Sequence, residues 1–203
     1  MESEFGLYFK LGLEHIADPN AFDHIVFIVA LCAMYKLSEW KKVAILVTAF
    51  TIGHSVTLAL AALDIVRFPQ EVIEFLIPVT ILITAIYNVA RPAPTAEASD
   101  RTFNRSININ YLFALFFGLI HGMGFSNFFK SLMGGEASIM KPLFAFNVGI
   151  EAGQLMIVIV LLGIGYLIMN VLKVKQQSWT IFISGAAAGI ALTLMIPFLT
   201  GAG

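Results

Sequence analysis

The sequence predicts an all-α protein, a polytopic membrane helix bundle of about six transmembrane helices that follow an N-terminal amphipathic segment. The composition carries the first part of this prediction, because 59% of the 203 residues are hydrophobic and only 12% are charged. Soluble domains are about half apolar and about one quarter charged. The second part comes from apolar runs that recur along the chain and are long enough to cross a bilayer. We therefore treat residues 1–203 as a single transmembrane domain.

The first 18 residues predict an amphipathic helix that lies in the membrane interface. Apolar and charged side chains alternate there at roughly helical spacing, and the segment is too polar to span. The acidic start lacks the basic region of a cleaved signal peptide, so we expect the first span to stay in the mature protein. Asp18, Pro19 and Asn20 then form a turn suited to cap the following helix.

Six apolar runs predict the membrane spans. They cover residues 21–37, 43–63, 71–90, 109–128, 143–172 and 179–199. Between the third and fourth spans, residues 91–106 hold two prolines and three arginines, which predicts a flexible, solvated loop.

The distribution of positive charge predicts the orientation of the bundle. Eight lysines and arginines fall in the odd-numbered loops and four on the opposite side. Because positive residues accumulate on the cytoplasmic side, the loop at 91–106 is expected in the cytoplasm and both termini outside it.

Charge and cysteine content exclude other classes of function. A formal net charge of −1 without a clustered basic face gives no basis for binding nucleic acid. Cys32 is the single cysteine, so this chain alone can form neither an internal disulfide nor a thiolate metal cluster.

The second predicted span carries an unusual polar stripe. His54 and four hydroxyl side chains lie within residues 48–58, and Thr48, Thr51 and Ser55 share one helix face. Unpartnered polar groups in hydrocarbon cost several kcal/mol each, so this face is expected to contact other helices.

Three ionisable residues from three spans are predicted at a similar depth. At about 1.5 Å per residue, His54 and His121 lie roughly 12 Å below the outer surface, and Glu151 enters to a comparable level. Asn147 and Gln154 share the helix face of Glu151.

Two further histidines are expected nearer the outer surface. Asp23 and His24 open the first span, and His15 precedes them with Asp18. All four histidines of the chain then follow a line from the outer surface to the middle of the membrane. Asp18 is better explained as a helix cap than as a ligand.

The residue types along this line favour a metal site. Imidazole and carboxylate ligands, in the absence of thiolates, suit nickel, cobalt, zinc or copper(II). A histidine in a membrane helix also serves as an interhelical hydrogen-bonding contact, which is the structural alternative for His54 and His121. An intramembrane carboxylate such as Glu151 is rarer and indicates function more strongly.

Four segments carry a family resemblance: Asp23-His24 and residues 51–58, 120–125 and 146–154. On them the chain resembles the HupE/UreJ family of hydrogenase and urease accessory membrane proteins, over about residues 9–160. The resemblance implies a nickel or cobalt permease, or a sensor of those ions, in a bacterial inner membrane. The resemblance implies a role in metal uptake most strongly for Asp23 and His24. It implies such a role next for His54, His121 and Glu151.

The chain departs from the classical nickel members of that family at His15. Those members carry a His-Pro pair closely upstream of Asp-His, whereas Ile16 follows His15 here. We interpret the sequence as a divergent branch.

Three functions remain open at this stage. In the first, a permease collects nickel or cobalt at His15, Asp23 and His24 and passes it to deeper ligands. Those ligands and their supporting polar residues are His54, His121, Glu151, Thr51, Ser55, Asn147 and Gln154. In the second, His54, His121 and a carboxylate hold zinc in an intramembrane hydrolase, with Glu151 or Ser55 handling the proton or acyl group. In the third, a metal sensor or structural subunit uses the polar residues to fasten helices.

The expected partners are the lipid bilayer and a transition-metal ion. A homo-oligomer and contacts with metalloenzyme-maturation proteins are left open by the sequence.

Overall fold

The fold is all-helical across the part of the chain that the structure, a computed structural model, describes. That part comprises residues 3–19, 22–90, 100–132 and 139–201, with the side chains of residues 100–109 outside the description. The helices are α1 (Glu4–Ala17), α2 (Asp23–Cys32), α3 (Trp40–Ala62), α4 (Gln70–Ala90), α5 (Asp100–Leu132), α6 (Met140–Tyr166) and α7 (Gln176–Thr200). A 3₁₀ turn, Leu37–Glu39, precedes α3, and a π-helical turn, Leu167–Val171, extends α6. Five helices are long and apolar enough to cross a membrane, which confirms the predicted fold class.

The bundle has two ends, which we name after Asp64 and Tyr35. At the Asp64 end, the loop between α3 and α4 meets the last turn of α5 through an ion pair of Asp64 with Lys130. At the Tyr35 end, the Tyr35 hydroxyl accepts a hydrogen bond from Asn110 of α5 at 2.9 Å. Helix α7 starts at this end too, where Thr180 donates to the Ala33 carbonyl at 2.9 Å.

The first predicted span is much shorter than expected. Residues 21–37 were predicted to cross the membrane, but α2 has only 10 residues. Such a helix is about 15 Å long, roughly half of the hydrocarbon core. The break before it lies at Asp18, whose backbone is extended with ψ 116°. A residue that precedes proline is driven out of helical geometry, and Pro19 supplies that constraint.

Helix α1 lies along the bundle on the side where α2 is too short to extend. The Phe5 ring lies 6.4 Å from that of Phe144, near the start of α6. Further along, the backbone of Leu13 and the side chain of Ile16 lie beside Gly153, so α1 and α6 run in the same direction. Helix α2 then reaches the Tyr35 end, where Asn88 donates to the Ala30 carbonyl at 2.7 Å. Together α1 and α2 extend from one end of the bundle to the other as two helices with a break between them.

Helix α1 is amphipathic, with Tyr8, Gly12 and Ile16 buried on one face. That face packs on α6 so closely that a Cβ added to Gly12 would lie 2.0 Å from the carbonyl oxygen of Phe146. The helix therefore lies alongside a helix of the bundle. Its position relative to the membrane surface stays a prediction.

The boundary of the predicted 91–106 loop is different in the structure. Helix α5 begins at Asp100, so residues 100–106 are helical, whereas residues 91–99 lie outside the described residues. In the sequence, neither glycine nor proline follows residue 100 until Gly118, so nothing there interrupts a helix.

Helices α3 and α5 are in backbone contact at three glycines. A Cβ would lie 2.2 Å from the Leu115 carbonyl oxygen at Gly53, 2.1 Å from that of Phe50 at Gly118, and 2.4 Å from that of His54 at Gly122. Small residues permit this approach between membrane helices. The contact places His54 of α3 beside residue 121 of α5.

Replacing Gly118 with alanine should therefore separate α3 from α5. The added Cβ meets backbone, which cannot rotate away, so we expect a loss of folded protein and a large fall in the melting temperature in detergent. Gly189→Ala is the matched control, because a Cβ at that helical glycine has no neighbour within 4 Å. Equal melting temperatures for the two variants would refute the contact.

Candidate metal centre

Five residues form what we name the histidine cluster: His15, Asp23, His24, His54 and His121. Two groups of three have ligand atoms that all lie within 4.8 Å of one another. The first is His15, His24 and His54, and the second is Asp23, His24 and His121. His24 belongs to both groups. The structure thus brings together all four histidines that the sequence placed along one line.

Ring distances within the cluster place His24 at its centre. The centroid of its ring lies 4.6 Å from that of His15, 5.2 Å from that of His121 and 6.4 Å from that of His54. Asp23 contributes a carboxylate oxygen 3.4 Å from Nδ1 of His24. The donor atoms for one metal ion, or for two ions that share His24, are therefore already close together.

The break between α1 and α2 determines this geometry. His15 lies in the last turn of α1, and Asp23 and His24 lie in the first turn of α2. The C-terminal end of a helix carries partial negative charge, which favours a cation beside His15. Asp23 in the first turn offsets the positive end of α2 in the same region.

Several imidazole nitrogens of the buried cluster have no hydrogen-bond partner. His54 is fully buried, His121 is 1% exposed and His24 is 5% exposed. The nitrogens without a hydrogen bond are Nε2 of His15, both ring nitrogens of His24 and His54, and Nδ1 of His121. Nδ1 of His24 has only the Asp23 carboxylate nearby, at 3.4 Å. Unpartnered buried polar atoms cost about 1–3 kcal/mol each, so several at one point need an explanation. Ligation of a metal supplies one, because neutral imidazole binds metals through an unprotonated nitrogen.

Thr80 of α4 is the hydrogen-bond partner of His121. Its hydroxyl donates to the Ile77 carbonyl at 2.7 Å, and its oxygen lies 3.1 Å from Nε2 of His121. When the single hydroxyl hydrogen goes to the Ile77 carbonyl, Nε2 is the donor in this contact. The lone pair of His121 is then on Nδ1, which is the atom without a partner. An outer residue that holds a histidine in this way is typical of metal sites.

A cavity connects the cluster with the surface near the Asp64 end. It is lined by Leu11, Leu13, Glu14, His15, Ala17, Asp18, Pro19, Phe125 and Phe128. The Phe125 ring covers His15 with a centroid distance of 3.8 Å and stacks on Phe146 at 5.1 Å. We name this cavity the vestibule, and His15 is the cluster residue that lines it.

Glu151 is not brought to the histidine cluster. Its two carboxylate oxygens accept hydrogen bonds from Thr48 and Thr51, each at 2.5 Å. Thr51 also lies 2.8 Å from Oε1 of Gln154. Equal depth in the membrane was predicted from the helical rise, but the direction in which Glu151 faces depends on the rotation of α6. That rotation places it against α3.

The other supporting residues from the sequence bond mainly to backbone. Ser55 donates to the Thr51 carbonyl at 2.6 Å, and Asn147 donates to the Leu143 carbonyl at 2.8 Å. Thr80 was missed by the sequence analysis. Its signal was available in the spacing of Thr80 and Thr84, which places two hydroxyls on one face of an apolar helix.

Comparisons with known proteins identify the family. No curated protein matches the chain, and no solved structure matches it. A family model described as HupE / UreJ protein matches residues 1–199, which is nearly the whole length. The chain belongs to the HupE/UreJ family.

Proposed function

We propose that the protein is a membrane permease for a divalent transition-metal ion, nickel or cobalt, which it binds at the histidine cluster. One observation carries the proposal: buried imidazole nitrogens without partners converge from α1, α2, α3 and α5. Membership of the HupE/UreJ family supports the choice of metal.

The donor set of the cluster favours these ions over hard cations. Four imidazoles and one carboxylate suit nickel, cobalt, copper(II) or zinc, whereas calcium and magnesium prefer sites made only of oxygen. Two ligand groups that share His24 also suit movement, because an ion can exchange ligands one at a time. Conduction needs several sites of moderate strength in series.

The vestibule is the proposed entrance. Glu14 and Asp18 line it together with His15, so acidic side chains lie near the first imidazole that an ion meets. The eight-to-four excess of positive residues in the odd-numbered loops favours the Tyr35 end as cytoplasmic. Ions then enter from outside a bacterial inner membrane, with both termini on that outer side.

The zinc hydrolase alternative has little support in this geometry. It requires Glu151 or Ser55 beside the metal, but Glu151 accepts from two threonines and Ser55 donates to backbone. Among the described residues, Asp23 is the carboxylate within reach of the imidazoles. A sensor would bind the ion with the same ligands but would not carry it across the membrane. Transport measurements therefore separate a sensor from a permease.

Metal binding should stabilise the protein through His24. We expect nickel or cobalt at a hundredfold excess over the dissociation constant to add about 2.7 kcal/mol to the free energy of unfolding. His24→Ala should abolish this gain, because His24 belongs to both ligand groups. The measurements are thermal unfolding in detergent and metal content by mass spectrometry. Asp64→Asn, which removes a carboxylate outside the cluster, should keep the gain, and magnesium should give none.

Transport should depend on the same residues. In proteoliposomes loaded with a metal-sensitive dye, Asp23→Asn and His24→Ala should reduce nickel influx by about tenfold or more, as loss of a metal ligand or its support does elsewhere. Asp64→Asn should retain it. Wild-type protein that binds nickel but shows no influx would contradict the permease and leave the sensor.

Thiol labelling tests the orientation. Cys32 is only 4% exposed, so the native chain should react little with an impermeant maleimide. On intact cells the reagent should label Arg67→Cys, at the Asp64 end, and should label Lys175→Cys only after permeabilisation. The reverse pattern would invert the proposed topology.

A further inference from the structure

A cavity at the Tyr35 end lies between the 3₁₀ turn, the π-helical turn and the start of α7. Its polar wall is formed by Lys36, Ser38, Asn170 and Gln176, and Leu37 and Met169 are among its apolar lining residues. Its volume is about 560 Å³, which is within the range of cavities that hold small molecules. We name it the lysine cavity. None of its lining residues belongs to the histidine cluster or to the vestibule.

The lysine cavity carries positive charge that is not neutralised by a described side chain. Lys36 lines it, and Lys173 and Lys175 lie on either side of another lining residue. All three lysines are exposed, and the ion pairs of the described residues do not include them. Among the side chains that the structure describes, Glu39 is the carboxylate at this end, and it already accepts from Lys42 at 2.9 Å. The cavity therefore favours a ligand with negative charge.

Apolar side chains continue from the lysine cavity over the flank of α6. Tyr166 lines the cavity, and Leu167, Val171 and Leu172 are exposed on the π-helical turn and just after it. A small soluble anion would contact only the polar wall. A phospholipid, in contrast, can place its phosphate beside the lysines and its acyl chains along the apolar residues. The surface therefore fits an anionic amphiphile better than a free anion.

Both tryptophans of the chain indicate that the cavity lies at the level of the lipid headgroups. Trp40 is exposed, and Nζ of Lys41 lies 5.7 Å from the centroid of its ring. The ring of Trp179 lies near Met169, since both are 3.6 Å from the point that a Cβ on Gly165 would occupy. Tryptophan is enriched at the boundary between membrane and water. A lipid phosphate would therefore be at the depth of the cavity.

We propose that the lysine cavity binds the phosphate of an anionic phospholipid whose acyl chains lie along the π-helical turn. Lys36 supplies a cation on the wall, and the Ser38 hydroxyl can donate to a phosphate oxygen. Basic pockets between membrane helices bind such headgroups, most often on the cytoplasmic side. In the orientation proposed above, this end faces the cytoplasmic leaflet, where anionic lipids give the surface a negative potential.

Quenching of tryptophan by brominated lipid measures this binding. In Trp40→Phe, Trp179 is the one tryptophan left, and it lies near the wall of the cavity. The variant is reconstituted in phosphatidylcholine with increasing fractions of either brominated phosphatidylglycerol or brominated phosphatidylcholine. The anionic lipid should quench Trp179 at lower fractions, with a binding constant about fivefold or more above that of phosphatidylcholine.

Lysine variants in the same background test the site. Lys36→Ala should lower the preference for phosphatidylglycerol about fivefold, because one lysine near the membrane surface contributes about that factor. Lys36→Arg should retain the preference. Lys41→Ala is the matched control, because it removes the same charge at the same end from a residue that lies against the Trp40 position. It should leave the preference unchanged, and lipid adducts in native mass spectrometry should follow the same order.

Three outcomes would overturn the proposal. Equal quenching of Trp179 by the two lipids would show that the cavity prefers no headgroup. Equal losses in Lys36→Ala and Lys41→Ala would show attraction to the charge of the whole end instead of binding in the cavity. Relief of quenching by soluble glycerol phosphate would show that the cavity takes a free phosphate. These measurements contain no transition metal, so their failure would not bear on the proposed permease.

Discussion

The close approach of α3 and α5 is the constraint on which the histidine cluster depends. Hydrophobic burial does not drive helices together in lipid, so the distance between two backbones is set by the residues at their contact. The carbonyl oxygen of Phe50 occupies the place that a side chain on Gly118 would fill, and that of His54 does the same at Gly122. His54 and His121 are consequently held at one level by glycines that have no chemistry of their own. Gly12 and Gly149 permit the same close backbone contact between α1 and α6.

The break between α1 and α2 brings the other residues to the histidine cluster. A continuous helix over residues 15–24 would separate His15 from His24 by nine residues, or about 13 Å, along one axis. Interruption at Asp18 and Pro19 instead brings their rings to 4.6 Å. Irregular backbone at membrane depth is tolerated where it is buried in protein or lines a water-filled cavity. Asp18 and Pro19 line the vestibule, so the break that creates the site also lies where ions would reach it.

Composition and apolar runs were sufficient to predict the fold class, because lipid admits few architectures and five long apolar helices satisfy that constraint. The short α2 could not be predicted in the same way. The apolar run continues through residues 21–37, and hydropathy measures the length of apolar sequence, not where the backbone turns. Asp18 and Pro19 were correctly interpreted as a turn, but their effect on α1 and α2 together needed the packing of α1 on α6.

In the candidate site, too, one property could be predicted from the sequence and another depended on helix packing. The helical rise alone gives depth, so His54, His121 and Glu151 could be placed near one level. Their rotation about each helix axis depends on contacts such as Gly118 with Phe50, which a single sequence does not reveal. The rotation of α6 sends Glu151 to the two threonines, and the same packing brings Thr80 beside His121.

In the proposed permease, the separation of Glu151 from the imidazoles affects how readily a bound ion can leave. A divalent ion beside Asp23 and neutral histidines keeps a net positive charge, because the cluster offers it one carboxylate. A second carboxylate would neutralise the ion fully in a low-dielectric bundle, where attraction between charges is strong. Conduction requires binding that is weak enough to reverse. Because Glu151 is bonded to threonine hydroxyls between α3 and α6, its charge is kept away from the imidazoles of the histidine cluster.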